Sequence, residues 1–297
     1  MIYRDFHIEL SEASDRHPGR HPERHGRFLI VGDVHGQMDM LLRLMDLAGY
    51  DPDVDRVIAA GDLVDRGPAS ADVVRWFAAG QLRLSLLGNH DALMLDSEFQ
   101  RNADDVWMLN GGRWSRQIDA VDLNLLRRLA SGFPLTARLH LSSGVRIGVV
   151  HAEVKPGTTW RQLQRLCYSL GDAADDLSDS AVTSLLWGRE RHYCYRSLKS
   201  APRTYIEALL KPVRGVDLVI CGHTIMQTRE PLRFGSHLFS DTGAWQAPNG
   251  RLTAVDPAAG VYWQVGHGQD QQWGPTPLPA PVDVNLPKKA RKRRPSS

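Results

Sequence analysis

The sequence predicts an α/β fold around an at least partly parallel sheet, and three observations carry that expectation. From residue 27 onward, short apolar runs alternate with helical segments, the pattern of βαβ units. The helical segments show apolar residues at helical spacing, as in Leu41, Leu42, Leu44 and Met45. Each apolar run also ends in a small polar cluster, where open α/β sheets hold their ligands.

Taken in order, Phe28–Val31 reads as a buried strand and Met38–Ala48 as a helix. Arg56–Ala60 is a second strand and Ala69–Ala79 a second helix. Leu82–Leu87 is a third strand, and a helix starts over Asp91–Leu95. Val145–Val150 reads as a further strand. Residues 155–211 read as mostly helical, with DAADDLSDS (172–180) as a loop. Val216–Cys221, His237–Ser240, Leu252–Val255 and Val261–Val265 complete the strands. One domain is expected over 27–265. Residues 1–26 read as an irregular His/Arg-rich arm or an added edge segment, because the prolines of RHPGRHPERHGR oppose a helix. Residues 266–297, rich in Gln and Pro and ending in a basic run, read as disordered.

Composition narrows the function classes. The 297 residues carry a net charge of +2, but Lys288, Lys289, Arg291, Lys292, Arg293 and Arg294 crowd the tail. The remainder is acidic, so the body is not a broadly basic nucleic-acid-binding domain. Weak contact by the tail is the one nucleic-acid interaction expected, and a solvated tail is the plainer reading. No run of about 18 apolar residues occurs, so no membrane partner is expected. The first residues lack a secretory pattern, which makes the cytoplasm the expected compartment. Cys167, Cys194 and Cys221 are scattered without CxxC spacing, which argues against disulfides or a zinc knuckle.

The polar clusters carry the chemistry. The first strand ends in GDVHG, with Asp33 and His35. The second ends in GDLVDRG, with Asp62, Asp65 and Arg66. The third ends in GNHD, with Asn89, His90 and Asp91. His151 follows the strand at 145–150, and His223 follows that at 216–221. Taken alone, each aspartate is a helix cap, Asn89 a turn residue, each histidine an interior one and Arg66 a surface ion-pair partner. Together they place oxygen and imidazole donors, without thiolate, at successive strand ends. That set suits Mn, Fe or Zn. Six donors exceed one hydrated metal centre but suit two ions sharing a carboxylate, the usual apparatus for phosphoester hydrolysis. In this arrangement Asp62 bridges the metals, Asp65 orients a neighbouring histidine, and the planar fork of Arg66 grips phosphate.

GDVHG, GDLVDRG and GNHD resemble the GDxHG, GDxxDRG and GNHE signature of the PPP-type serine/threonine phosphatases, within the calcineurin-like metallophosphoesterase superfamily. The bacterial and phage branch, typified by lambda phage phosphatase, is closer. It has similar segments to Leu109-Asn110-Gly111-Gly112-Arg113-Trp114, Trp187-Gly188-Arg189-Glu190-Arg191, Gly222–Thr224 and Asp241–Ala244. The resemblance covers roughly 27–265. It implies a four-layer α/β/β/α metallophosphoesterase sandwich with mixed sheets and the site at strand ends. It further implies that Asp33, His35 and Asp62 hold one metal, and Asp62, Asn89, His151 and His223 a second. His90 is then the general acid, oriented by Asp65, and Arg66 and Arg189 bind phosphate. A hydroxide bridging the metals is the implied nucleophile. Two features depart from the pattern: Asp91 replaces glutamate, and the stretch from His151 to Arg189 is longer, which leaves Arg191 and Arg161 as alternatives to Arg189.

The expected activity is phosphomonoester hydrolysis by two divalent ions, manganese first with Fe or Zn as alternatives. The expected substrate is a phosphoprotein, or else a small phosphoester. The competing enzyme reading is a dinucleoside-polyphosphate hydrolase; that relative tends to lack the aspartate of the DRG element, which is intact here as Asp65-Arg66-Gly67. A non-catalytic module on a decayed phosphatase fold should lose ligands or His90, and none is missing. Trp107, Trp114, Trp160, Trp187 and Trp245 read mainly as core or rim packing, with the cleft wall as the alternative.

Overall fold

The computed structural model describes residues 7–11, 26–97, 101–169 and 176–284. Its strands are β1 (His7–Ser11), β2 (Phe28–Val31), β3 (Arg56–Ala59), β4 (Arg83–Ser85), β5 (Thr136–His140) and β6 (Arg146–Val150). They continue with β7 (Leu218–Cys221), β8 (Leu232–Phe234), β9 (His237–Phe239), β10 (Arg251–Asp256), β11 (Val261–Gly266) and β12 (Gln272–Pro277). The helices are α1 (Met38–Leu47), α2 (Ser70–Ala79), α3 (Asn89–Asp96), α4 (Arg101–Leu109), α5 (Ala120–Ala130), α6 (Trp160–Ser169), α7 (Asp176–Trp187), α8 (Glu190–Arg196) and α9 (Arg203–Leu210). None is long and apolar enough to cross a membrane.

The strands form two six-stranded sheets, ordered β1-β5-β6-β7-β9-β8 and β12-β11-β10-β2-β3-β4. Alternation along each strand sorts side chains to two faces. Phe28 and Ile30 of β2, Ile58 of β3, Leu139 of β5, Val149 of β6 and Ile220 of β7 share one buried cluster. These residues come from both sheets, so the cluster is the sheet-on-sheet interface. Their neighbours Leu29, Val31, Val57, Ala59, Val150 and Val219 pack outward with helical residues such as Leu41, Leu44, Phe77, Leu163 and Leu209. The layers therefore run helix, sheet, sheet, helix, the α/β/β/α sandwich. Each large apolar side chain so buried contributes about 1.5–3 kcal/mol.

Parallel register positions the site. β2, β3 and β4 run parallel, with Val31 beside Ala59 and Ala59 beside Ser85. In the other sheet β6 and β7 run parallel, with Val150 beside Cys221. The loops leaving these five strands emerge in two groups, one per sheet.

Some expectations are corrected. His7–Ser11, inside the stretch read as an irregular arm or an added edge segment, is an edge strand parallel to β5, so the arm is not irregular there. Its alternation buries His7 beside Thr136, whose Oγ1 lies 2.8 Å from His7 Nδ1. Gln272–Pro277, inside the stretch read as disordered, pairs antiparallel with β11. β5, β8, α4 and α5 were not anticipated. Of the loop expected at 172–180, residues 176–180 begin α7, and the rest lies outside the described residues. Most of the His-rich run and the basic run at 288–294 also lie outside them.

Candidate metal centre

Asp33 and His35 sit in the loop after β2, and Asp62, Asp65 and Arg66 in the loop after β3. Asn89 and His90 open α3, His151 follows β6 and His223 follows β7. Backbone bonds tie these loops together. The Val34 and His35 N–H groups donate to the Asp62 carbonyl at 3.2 and 2.9 Å, and Gly36 N–H donates to the Leu63 carbonyl at 2.8 Å. Across the other sheet, Gly222 N–H donates to the His151 carbonyl at 2.8 Å.

Asp62 stands between imidazoles from the two sheets. Its Oδ2 is 3.6 Å from His35 Nε2, and its Oδ1 is 3.5 Å from His151 Nε2. His35 Nδ1–H donates to the Val64 carbonyl and His151 Nδ1–H to the Ala60 carbonyl, at 2.8 and 2.9 Å. Backbone carbonyls thus fix both tautomers and leave each Nε2 as a lone-pair donor, the arrangement usual behind metal-ligating histidines. Asn89 Oδ1 lies 2.9 Å from His151 Nε2 and 2.8 Å from His223 Nδ1.

Two groups of donors lie within 4.8 Å of one another: His35, Asp62 and His90, and Asp62, His151 and His223. They share Asp62, as the sequence suggests for a bridging carboxylate. Asp33 is in neither group; its oxygens accept the His223 backbone N–H at 2.9 and 3.0 Å. The donors fit cations. His151 Nε2 and Asn89 Oδ1 are acceptors facing one another, and His223 Nε2 is buried with no hydrogen-bond partner. A cation relieves both conditions, and this thiolate-free donor set suits a divalent ion.

Electrostatics point the same way. Burial pushes His35 down to about 3 and His223 down to about 2. Burial also lowers His151. These rings are therefore neutral and ready to ligate. Asp62 is lowered below the ordinary carboxylate range and stays ionised among His151, His90, His35 and His223. Asp33 goes the other way, pushed well up by burial and by the neighbouring charges of Asp241 and Asp62.

The catalytic candidates surround this centre. His90 Nδ1–H donates to Asp65 Oδ2 at 2.7 Å, leaving Nε2 beside the Arg66 guanidinium. The exposed Arg66 guanidinium reaches His35 Nε2 at 2.9 Å and His90 Nε2 at 2.8 Å, with its carbon 4.6 Å over the Trp245 ring. Arg189 is the N-cap of α8, and its Nη1 is 3.5 Å from Thr224 Oγ1. Thr224 follows His223 directly, so Arg189 lies beside the centre, and its charge adds to the burial that lowers His151 and His223. Arg191 does not: it is buried against Glu153, donating to its carboxylate at 3.2 Å and to the Val154 carbonyl at 2.6 Å. Arg161 is exposed on α6.

Two acidic residues were not singled out from the sequence as functional. Asp91 accepts N–H bonds from Asp62, Leu63 and Gly88 at 2.9, 3.1 and 3.0 Å, so the shorter carboxylate pins the β3 loop to α3. Asp241 is buried and pushed up to about 6 by burial, against the Gly243 N–H that favours its charged form. Strain marks the same place. His35, Asp62, Asp65, Arg66 and His223 all have positive φ, between 45° and 74°, and Arg229 is the one other non-glycine residue so found among the described residues. Such conformations cost about 1–3 kcal/mol each and cluster at functional sites.

Two donor clusters sharing one carboxylate, at the strand ends of an α/β/β/α sandwich, define a metal-dependent phosphoesterase with a binuclear divalent centre. Residues 26–227 match the family model described as calcineurin-like phosphoesterase, and the chain belongs to that family. It is 28% identical over 229 residues to serine/threonine-protein phosphatase 2 of Salmonella typhimurium, across 74% of this chain and 88% of that protein. It is 40% identical over 131 residues to a symmetrical bis(5'-nucleosyl)-tetraphosphatase of Paracidovorax citrulli, across 43% of this chain and 45% of that one. In fold it is similar to a crystal structure described as a putative diadenosine tetraphosphatase, with TM-score 0.57 and 21% identity, covering 90% of this chain and all of that one.

Proposed function

We propose that this chain is a protein serine/threonine phosphatase of the bacterial and phage branch, working with manganese. Asp33, His35 and Asp62 would hold one cation, and Asp62, Asn89, His151 and His223 the other. Bound there, the cations supply Lewis acidity, neutralising phosphate oxygens and acidifying a water. Arg66 and Arg189 orient the phosphoryl group. Hydrolysis joins a water oxygen to phosphorus and breaks the bond to the leaving oxygen, which keeps the electron pair. His90 Nε2 gives its proton to that oxygen.

One observation carries the choice of substrate: the 2.7 Å bond between His90 Nδ1 and Asp65. It fixes the ring so that Nε2, which lies 2.8 Å from the Arg66 guanidinium, is the nitrogen available to the leaving oxygen. A serine alkoxide leaves poorly and needs that proton, whereas a nucleotide phosphate leaves from a phosphoanhydride with little help. The likeness to serine/threonine-protein phosphatase 2 over most of both chains supports the same reading. The local 40% identity to a dinucleoside tetraphosphatase favours the competing one.

The test strips the protein with chelator, restores Mn²⁺, and compares a phosphoserine peptide with diadenosine tetraphosphate. The expected result is metal-dependent peptide turnover that falls about 10²–10⁴-fold in His90→Asn. Preference for the dinucleotide, with little effect of His90→Asn, would overturn the reading.

A further inference from the structure

The Asp65 carboxylate makes more bonds than orienting one histidine requires. Its Oδ1 accepts the Trp107 Nε1–H at 3.0 Å and the Trp114 Nε1–H at 2.7 Å. Its Oδ2 accepts the His90 Nδ1–H at 2.7 Å and lies 3.1 Å from Trp107 Nε1. The carboxylate is fully buried, and its own backbone N–H donates to Ser70 Oγ at 2.9 Å. Two indole donors therefore converge on one buried carboxylate, where charge-assisted bonds are strong.

The intervening segment is shaped for this convergence. Trp107 lies on α4 and is 1% exposed, while Trp114 lies in the 3₁₀ helix Gly112–Gln117. The rings meet edge to face, 6.2 Å between centroids. The turn between them must press against the β3 loop. Gly111 has φ 118°, and a Cβ there would lie 3.1 Å from Arg66 and 3.2 Å from Asp65. A Cβ on Gly112 would lie 2.7 Å from the Trp107 ring. The LNGG-x-W segment thus brings the second indole to the carboxylate that the first already holds.

We propose that Trp107 and Trp114 are positioning residues for proton donation: together they clamp Asp65 in the rotamer that aims His90 Nε2 at the leaving oxygen. Neither indole belongs to the two donor groups; both reach them only through Asp65. Its effect is confined to the acid arm, so it should scale with how badly the leaving group needs a proton. This rests on the phosphomonoesterase reading above.

The test measures kcat and KM of Trp107→Phe and Trp114→Phe in Mn²⁺, on a phosphoserine peptide and on p-nitrophenyl phosphate. The nitrophenolate leaves as a stable anion and needs little protonation. The clamp predicts that kcat on the peptide falls about tenfold or more beyond any fall on the nitrophenyl ester, with KM little changed. Equal losses on both esters, or losses confined to KM, would overturn the clamp while leaving the phosphoesterase reading standing. A wild type inactive on both esters would sink that reading and the clamp with it. Should the variants fail to fold, indole signals of ¹⁵N-tryptophan-labelled, zinc-loaded protein decide. Of the eight indoles, two should exchange slowly and shift most on Asp65→Asn. The absence of any such pair would contradict the clamp.

Discussion

Asp91 shows how one side chain holds the centre together without joining it. Its carboxylate gathers three backbone N–H groups from two loops, and burial together with nearby Asp62 pushes it up to about 7. Replacing it with Asn keeps the shape but turns an amide donor toward at least one of those N–H groups. A buried N–H without a partner costs about 1–3 kcal/mol. Asp91→Asn is therefore expected to lower the urea unfolding free energy by roughly that amount and to weaken metal binding, because the Asp62 loop loses its anchor. Unchanged stability would show that the anchor is dispensable. At this scale the sequence was legible in part. Residue types at strand ends announced the donor set, since oxygen and imidazole are chemically explicit. The indole bonds to Asp65 were not legible, because the residues are 42 and 49 positions apart and only packing aims the N–H groups.

At the scale of elements, β9 and α8 illustrate an internal electrostatic cost. His237 on β9 is wholly buried, and its Nε2 accepts the Val154 N–H at 3.3 Å, so the ring is neutral. Burial, and then the nearby Arg191, hold its pKa well below 6.5. In the unfolded chain the same ring takes a proton near pH 6.5. Its contribution to stability is thus full above about pH 6.5 and is lost as pH falls below it, at up to about 1.4 kcal/mol per pH unit. Urea unfolding of metal-loaded protein between pH 7 and pH 5 should show this slope on top of that from the other buried histidines, and His237→Asn should reduce it; identical slopes would remove His237 as a cause. Elements differed in legibility for a related reason. β2, β3 and β7 are apolar runs whose burial the sequence declares. β12 is almost entirely exposed and β1 mixes His and Glu with Ile and Leu, so their strand character comes from pairing with β11 and β5.

On the scale of the whole molecule, the centre is assembled from both halves of the sandwich. Of the two donor groups, His35, Asp62 and His90 come from the sheet containing β2 and β3, while His151 and His223 come from the sheet containing β6 and β7. Cations held among them cross-link the two sheets above their shared apolar interface. A ligand that binds only the folded state stabilises it by mass action, about 2.7 kcal/mol at a hundred times Kd. Removing metal should accordingly lower Tm as well as activity, and restoring it should recover both. The central claim is a binuclear phosphoesterase, and its most direct test is a titration of Mn²⁺ into chelator-stripped protein, following bound metal and phosphoester turnover together. Activity is expected to saturate as the second ion per chain binds. Saturation at one ion, or turnover indifferent to metal, would contradict it.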